Sequence, residues 1–171
     1  MNLDAPQLVH KLNKAVTVLL AERQISDPLL IGIRTGGVWL AESLHKHLNC
    51  KSPLGKLDIS FYRDDFSRIG LHPQVKPSHI PTSLENRDVI LIDDVLQTGR
   101  TIRAALNEIF DYGRPNCVIL AVLVERNGRE LPIQADVVGA HLSLQSDQTV
   151  ELSGPSPLEL TIKKRQGSET Q

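Results

Sequence analysis

Apolar residues recur at helical spacing from the start of the chain. Leu8, Leu12, Ala15, Val16, Leu19 and Leu20 form one stripe up to Arg23, with Asp4 placed to cap the first turn and Pro6 inside it. An amphipathic opening helix is predicted. After the Ser26-Asp27-Pro28 breaker the period disappears, and Leu29-Leu30-Ile31-Gly32-Ile33 is apolar throughout, the pattern of a strand buried on both faces. Gly36 and Gly37 turn the chain into a second helix carrying Leu40, Ala41, Leu44 and Leu48. Leu57 to Tyr62 alternates and reads as a strand. Val89 to Ile92, ended by Asp93-Asp94, and Cys117 to Val124 are further buried strands. Between them Ile102, Ala105, Leu106, Ile109 and Phe110 mark a helix from Thr101 to Tyr112, with Gly113 as its stop. Leu158 to Ile162 is the last apolar run.

Buried strands alternating with helices define an α/β fold, with a mainly parallel central sheet and helices on both faces. In open sheets of this kind ligands bind where strands deliver their carboxyl ends, so the residues after Ile33, Ile92 and Val124 are the first candidates for a site. Residues 63–84 carry prolines and polar side chains without a hydrophobic period, and a loop of that length is expected to be functional or mobile.

With 171 residues, 40% hydrophobic and 23% charged, the chain suits one globular domain. Its longest apolar run, Cys117 to Val124, has eight residues, far below the ~20 of a membrane-spanning helix. No basic, apolar and small-residue series opens the chain, so cytoplasmic residence is expected. Cys50 and Cys117 lack C-x-x-C spacing and are expected as free thiols, with no structural metal. A net charge of −1 gives no global pull toward nucleic acid, so such a role needs a local basic patch.

Chemistry concentrates in Val89-Ile90-Leu91-Ile92-Asp93-Asp94-Val95-Leu96-Gln97-Thr98-Gly99-Arg100-Thr101. Main-chain amides from Gln97 to Thr101 at a helix start make an anion site, Gly99 permits close approach, and the hydroxyls of Thr98 and Thr101 add donors. That end suits a phosphomonoester. The preceding carboxylates of Asp93 and Asp94 repel a phosphate, so their partners are sugar hydroxyls or the water shell of a magnesium ion. Neither G-x-x-x-x-G-K-[ST] nor G-x-G-x-x-G occurs.

This string resembles the phosphoribosyl-diphosphate motif of type I phosphoribosyltransferases, and of their PyrR branch in particular. Tyr62-Arg63-Asp64-Asp65, Gly113-Arg114-Pro115, Leu120 to Val124 and Arg129-Glu130-Leu131-Pro132-Ile133 extend the resemblance in the same order over nearly the whole chain. It implies a pyrimidine-operon attenuation regulator that also makes UMP and pyrophosphate from uracil and phosphoribosyl diphosphate, with Mg2+, as a homodimer. It implies one phosphoribosyltransferase domain over residues 1–165, with a lid at 63–84, a C-terminal hood at 125–157 and a frayed tail at 166–171.

By the same resemblance Asp93 and Asp94 hold the ribose 2- and 3-hydroxyls and the metal's surroundings, and Gln97, Thr98, Gly99, Arg100 and Thr101 hold the 5-phosphate. Arg34, Thr35, Gly36 and Gly37 form a pyrophosphate loop, with a cis bond expected between Thr35 and Gly36, and Arg63 lends charge to the leaving group. Uracil is expected beside Val124, Glu125 and Arg126, read by main-chain groups. Lys11, Lys14 and Arg129 are the candidates for contact with a leader mRNA. The chain departs from the branch at Gly36, Gln97, Asn127-Gly128, Gln134 and Ala140; the last two stand where RNA-binding members often have basic residues. The alternative reading is a UMP-sensing RNA-binding attenuator with secondary enzyme activity.

Overall fold

Eight strands and three helices are seen in the computed structural model, which describes residues 2–59 and 78–165. Along the chain they are β1 (Asn2–Leu3), α1 (Ala5–Glu22), β2 (Leu29–Ile33), α2 (Gly36–Leu48), β3 (Gly55–Leu57) and β4 (Asp88–Leu96). Then follow α3 (Arg100–Tyr112), β5 (Cys117–Arg126), β6 (Val137–Leu142), β7 (Gln148–Ser153) and β8 (Glu159–Lys164).

The three continuous apolar runs occupy the middle of a five-stranded parallel sheet of order β3-β2-β4-β5-β6. Strands buried on both faces need apolar side chains pointing both ways, and these do. Leu30, Ile90, Ile92, Ile119 and Ala121 face α1 and α2, and Leu29, Ile31, Val89, Leu91, Leu120 and Val122 face α3. On α1 the inward stripe is Val9, Leu12, Val16 and Leu20, each burial contributing roughly 1.5–3 kcal/mol. Asp4 caps it, accepting from Gln7 N at 2.9 Å, a contribution of about 1 kcal/mol. Packing therefore outweighs local signals.

Within the main sheet, three strands differ most from the sequence expectation. β4 runs through both acids to Leu96, because the long β5 offers partners beyond them: Asp93 pairs with Val122, Val95 with Val124 and Leu96 with Glu125. β3 begins at Gly55 and pairs with β2 over three residues, Leu57 opposite Ile33. β6, which no local pattern announced, is reached from β5 without a helix; Asp136 anchors its start by accepting from Leu120 N at 2.8 Å and donating its own N–H to Leu120 O at 2.8 Å.

A second, antiparallel sheet of order β1-β8-β7 rises at the C-terminal end of the chain. It begins at Gln148, reaches Lys164 and recruits Asn2 and Leu3, whereas Glu125, Arg126 and Val137–Leu142 of the expected hood span pair in the main sheet. Leu152 and Leu160 join the apolar cluster of α1, so this sheet is packed onto the core. Of the expected lid, residues 63–77 lie outside the described residues; His79 bridges to Lys56 on the edge of β3, and Leu84 is buried. The expected tail at 166–171 also lies outside them.

Candidate active site

The carboxyl ends of β2 and β4 meet at a pair of loops. Leaving β2, Arg34 N donates to Leu57 O at 2.8 Å, which ties the loop to β3. The next peptide bond, Arg34–Thr35, is cis. The cis bond was expected one residue later, between Thr35 and Gly36. That plane already belongs to the start of α2, where Thr35 O accepts from Val38 N at 3.2 Å. α2 opens against β4: a Cβ on Gly36 would lie 2.4 Å from Asp94 Oδ2, and one on Gly37 2.4 Å from Ile92 O. The two glycines are what allow Arg34-Thr35-Gly36-Gly37 to touch the acid pair.

Asp93 is buried and Asp94 half-buried. Each anchors the strand end, Asp93 Oδ1 accepting from Asp94 N and Asp94 Oδ1 from Val95 N, both at 2.9 Å. Two residues on, Gln97 to Thr101 turn into α3. Gly99 is the N-cap with φ +93°, left-handed backbone that disfavours other residues, and a Cβ there would lie 3.1 Å from Ile133. With no side chain on the cap, no capping side chain accepts from the first-turn amides of α3, although Arg100 N donates to Thr98 Oγ1 at 3.1 Å. Amides and helix dipole here favour an anion.

The segment after β5 braces this turn. Glu130 N and Leu131 N both donate to Thr98 O at 3.0 Å, and Arg129 donates to Gln97 O and pairs with Glu125. The Arg100–Glu130 pair is half exposed and contributes less than about 1 kcal/mol, so the main-chain bonds carry the brace. Asn127, outside every expected site, clamps the connection toward β7, donating to Leu144 O at 3.0 Å and accepting from Leu144 N at 2.8 Å. The Asn-Gly dipeptide at 127–128 is the turn signal that marks this segment in the sequence.

Of the residues expected at the base, Val124 has its side chain in the core, and its main chain lies between β4 and β6 in register with Val95 and Ala140. Glu125 faces Arg129 and, through Oε2, His141 Nδ1 at 3.2 Å. Arg126 is buried, donates to Gln148 O of β7 at 3.0 Å, and keeps a buried Nε without a hydrogen-bond partner among the described residues. Burial, with Arg165 nearby, pushes its guanidinium below the ordinary value.

Arg63 lies outside the described residues. Lys11 and Lys14 stand exposed on α1, while Arg129 is engaged with Gln97 O and Glu125. Both cysteines are free, and burial first, then Asp27 for Cys50 and Asp88 for Cys117, pushes their thiols up, away from the reactive thiolate. Among the described residues no three His, Cys, Asp or Glu side chains cluster for a metal, and no helix is long and apolar enough to cross a membrane.

Residues 2–154 match the phosphoribosyl transferase domain family. A "Bifunctional protein PyrR" of Nitrosococcus oceani is 57% identical over 165 residues, covering 95% of this chain and 92% of the relative. Another from Pseudomonas savastanoi pv. phaseolicola is 55% identical over 160 residues, 94% of each chain. The fold is shared with a hypoxanthine-guanine phosphoribosyltransferase of Bacillus anthracis, TM-score 0.67 at 17% identity, covering 83% of both chains. A match of this extent, in a chain whose acid pair, glycine loop and phosphate-type turn converge at the edge of one parallel sheet, makes it a member of the phosphoribosyltransferase family, in the PyrR branch.

Proposed function

We propose that the chain is a uracil phosphoribosyltransferase, forming UMP and pyrophosphate from uracil and phosphoribosyl diphosphate in the cytoplasm as a homodimer. The observation that carries this reading is the close approach of Gly36 to Asp94, too tight to admit a Cβ, which sets a diphosphate-type loop against the acids that precede the phosphate turn. One extended substrate spans all three: 5-phosphate on Gln97 to Thr101, ribose 2- and 3-hydroxyls on Asp93 and Asp94, diphosphate on Arg34 to Gly37. The bond from ribose C1 to the diphosphate oxygen breaks with its electron pair leaving on pyrophosphate, uracil N1 bonds to C1, and the N1 proton goes to solvent.

Asp93 and Asp94 each have one oxygen committed to a backbone amide, which suits a metal ion brought in by the substrate rather than one caged by the protein. Bound with the diphosphate, Mg2+ neutralises the leaving group's charge. The chain's own work is positioning and holding charge.

Purified protein with labelled uracil, phosphoribosyl diphosphate and magnesium is expected to yield UMP, with orotate, hypoxanthine and guanine as poor substrates and chelation of the metal stopping turnover. A preference for a purine, or an inactive but folded protein, would overturn the assignment.

The printed name of the relatives, "bifunctional", favours a second activity beside the first, UMP-dependent binding of the pyrimidine leader mRNA. Lys11 and Lys14 are exposed cations on one helix face available to it, and Gln134 and Ala140 supply none. We expect UMP to tighten leader binding over unrelated RNA. The dependence on salt then counts the contacts, since each phosphate neutralised adds about 0.7–0.9 to the log–log slope. Equal affinity for unrelated RNA refutes this second activity.

A further inference from the structure

The anion-binding power of the turn depends on where its N–H groups point, and a peptide plane fixes that direction: within each plane the carbonyl and the amide point opposite ways. Two consecutive carbonyls of the turn are held from the same side by the segment that follows β5. Gln97 O accepts from the Arg129 guanidinium, and Thr98 O accepts from Glu130 N and Leu131 N at 3.0 Å. The amides of Thr98 and Gly99, which share those planes, are thereby turned together toward the opposite side, as a concave anion nest requires. Gly128, with φ +111°, brings this segment close enough that a Cβ on it would lie 3.2 Å from Gln97 Nε2.

Resting on the phosphate assignment made above, we propose that Arg129 is a positioning residue for the reaction: it holds the Gln97 plane so that the Thr98 amide stays aimed at the 5-phosphate. The anchor is Glu125. One carboxylate oxygen pairs with the second Arg129 nitrogen and the other faces His141 Nδ1 at 3.2 Å, so Arg129 is oriented as well as neutralised. Its side chain is about three-quarters buried, with both terminal nitrogens already used, which makes it a brace rather than a cation offered to solvent. A planar fork is needed to reach a carbonyl and a carboxylate at once; the point charge of a lysine reaches one or the other.

The test compares full-length Arg129→Gln, Arg129→Lys, Glu125→Gln and the Arg129→Gln/Glu125→Gln double variant with the wild type. Calorimetric titration with ribose 5-phosphate, KM values for phosphoribosyl diphosphate, uracil and, in the reverse reaction, pyrophosphate, and thermal unfolding are measured. In Arg129→Gln the Kd for ribose 5-phosphate and the KM for phosphoribosyl diphosphate are expected to rise about tenfold, the scale of a small misplacement of a binding group, with KM for uracil and pyrophosphate within about twofold. Arg129→Lys recovers part of the loss. Glu125→Gln shifts the same two constants, and the double variant is no worse than Arg129→Gln alone, as for two members of one network.

Unchanged ribose 5-phosphate affinity in Arg129→Gln overturns the proposal. So does a rise of all three KM values in step, which marks general loosening, or full recovery in Arg129→Lys, which marks charge alone. Where Arg129→Gln does not fold, the Lys variant and Glu125→Gln decide by the same criteria. A wild type that ignores ribose 5-phosphate removes the phosphate assignment itself, and the brace with it; a wild type that binds it while the variants do so equally well removes only the brace.

Discussion

Converting Asp93 and Asp94 together to Asn is expected to leave a folded protein that forms UMP about 10²–10⁴ times more slowly, from the loss of two charge-assisted hydrogen bonds worth roughly 1.5–3 kcal/mol each. Asn has the shape of Asp, and its carbonyl oxygen can still accept from the amides that Asp93 Oδ1 and Asp94 Oδ1 now hold at 2.9 Å, so the end of β4 keeps its form. What is lost is the negative charge that the proposed reaction sets against the ribose hydroxyls. The strand itself is anchored by buried Ile90, Leu91 and Ile92, which the change does not touch. Initial rates measured beside circular-dichroism melting separate the two effects. An undiminished rate would remove the acids from the reaction. A collapsed melting curve would instead show that the carboxylates, rather than their shape, hold the strand end.

The middle of the sheet was legible in the sequence because its strands are buried on both sides. Such strands write themselves as unbroken runs like Leu29-Leu30-Ile31 and Val118-Ile119-Leu120, independent of anything distant. The acid pair and the glycine loops were legible for a related reason: each sits within a few residues of a strand end. What stayed hidden depends on pairing over long separations. Asn2 and Leu3 become an edge strand only because Thr161 and Leu160 lie beside them. β6 forms because Asp136 is held against Leu120, without the helix that parallel crossovers usually carry. The same holds in the site, where Glu125 pairs with Arg129 and, across strands, with His141, contacts that no local pattern announced. Arg126, expected to act through its main chain, keeps a side-chain donor to spare.

Gly37→Ala should be the most damaging single methyl group in the molecule's active edge. The added Cβ falls 2.4 Å from Ile92 O and 3.1 Å from Asp93 Cα, both backbone atoms of a central strand, so neither can step aside. α2 must move instead. Its other neighbour leaves little room, since Gly32 of β2 is already so close that a Cβ there would meet Val38 Cα at 2.7 Å. Overpacking of this kind costs about 1–3 kcal/mol or more, a fall of roughly 3–10 °C in melting temperature for a chain of this size. Because α2 carries Thr35 to Gly37 with it, the diphosphate loop retreats from Asp94. The rate is expected to drop by about 10²-fold, the penalty for misplacing a binding group by an ångström, with KM for pyrophosphate rising in the reverse reaction. Gly36→Ala provides the control. Its Cβ would fall 2.4 Å from Asp94 Oδ2 and 3.0 Å from Asp94 Cβ, and a carboxylate turns aside more easily than the backbone of a central strand, so less stability should be lost than in Gly37→Ala while turnover falls. Equal melting temperatures for both variants and wild type would show that the close approach of helix and strand is not what seats the loop.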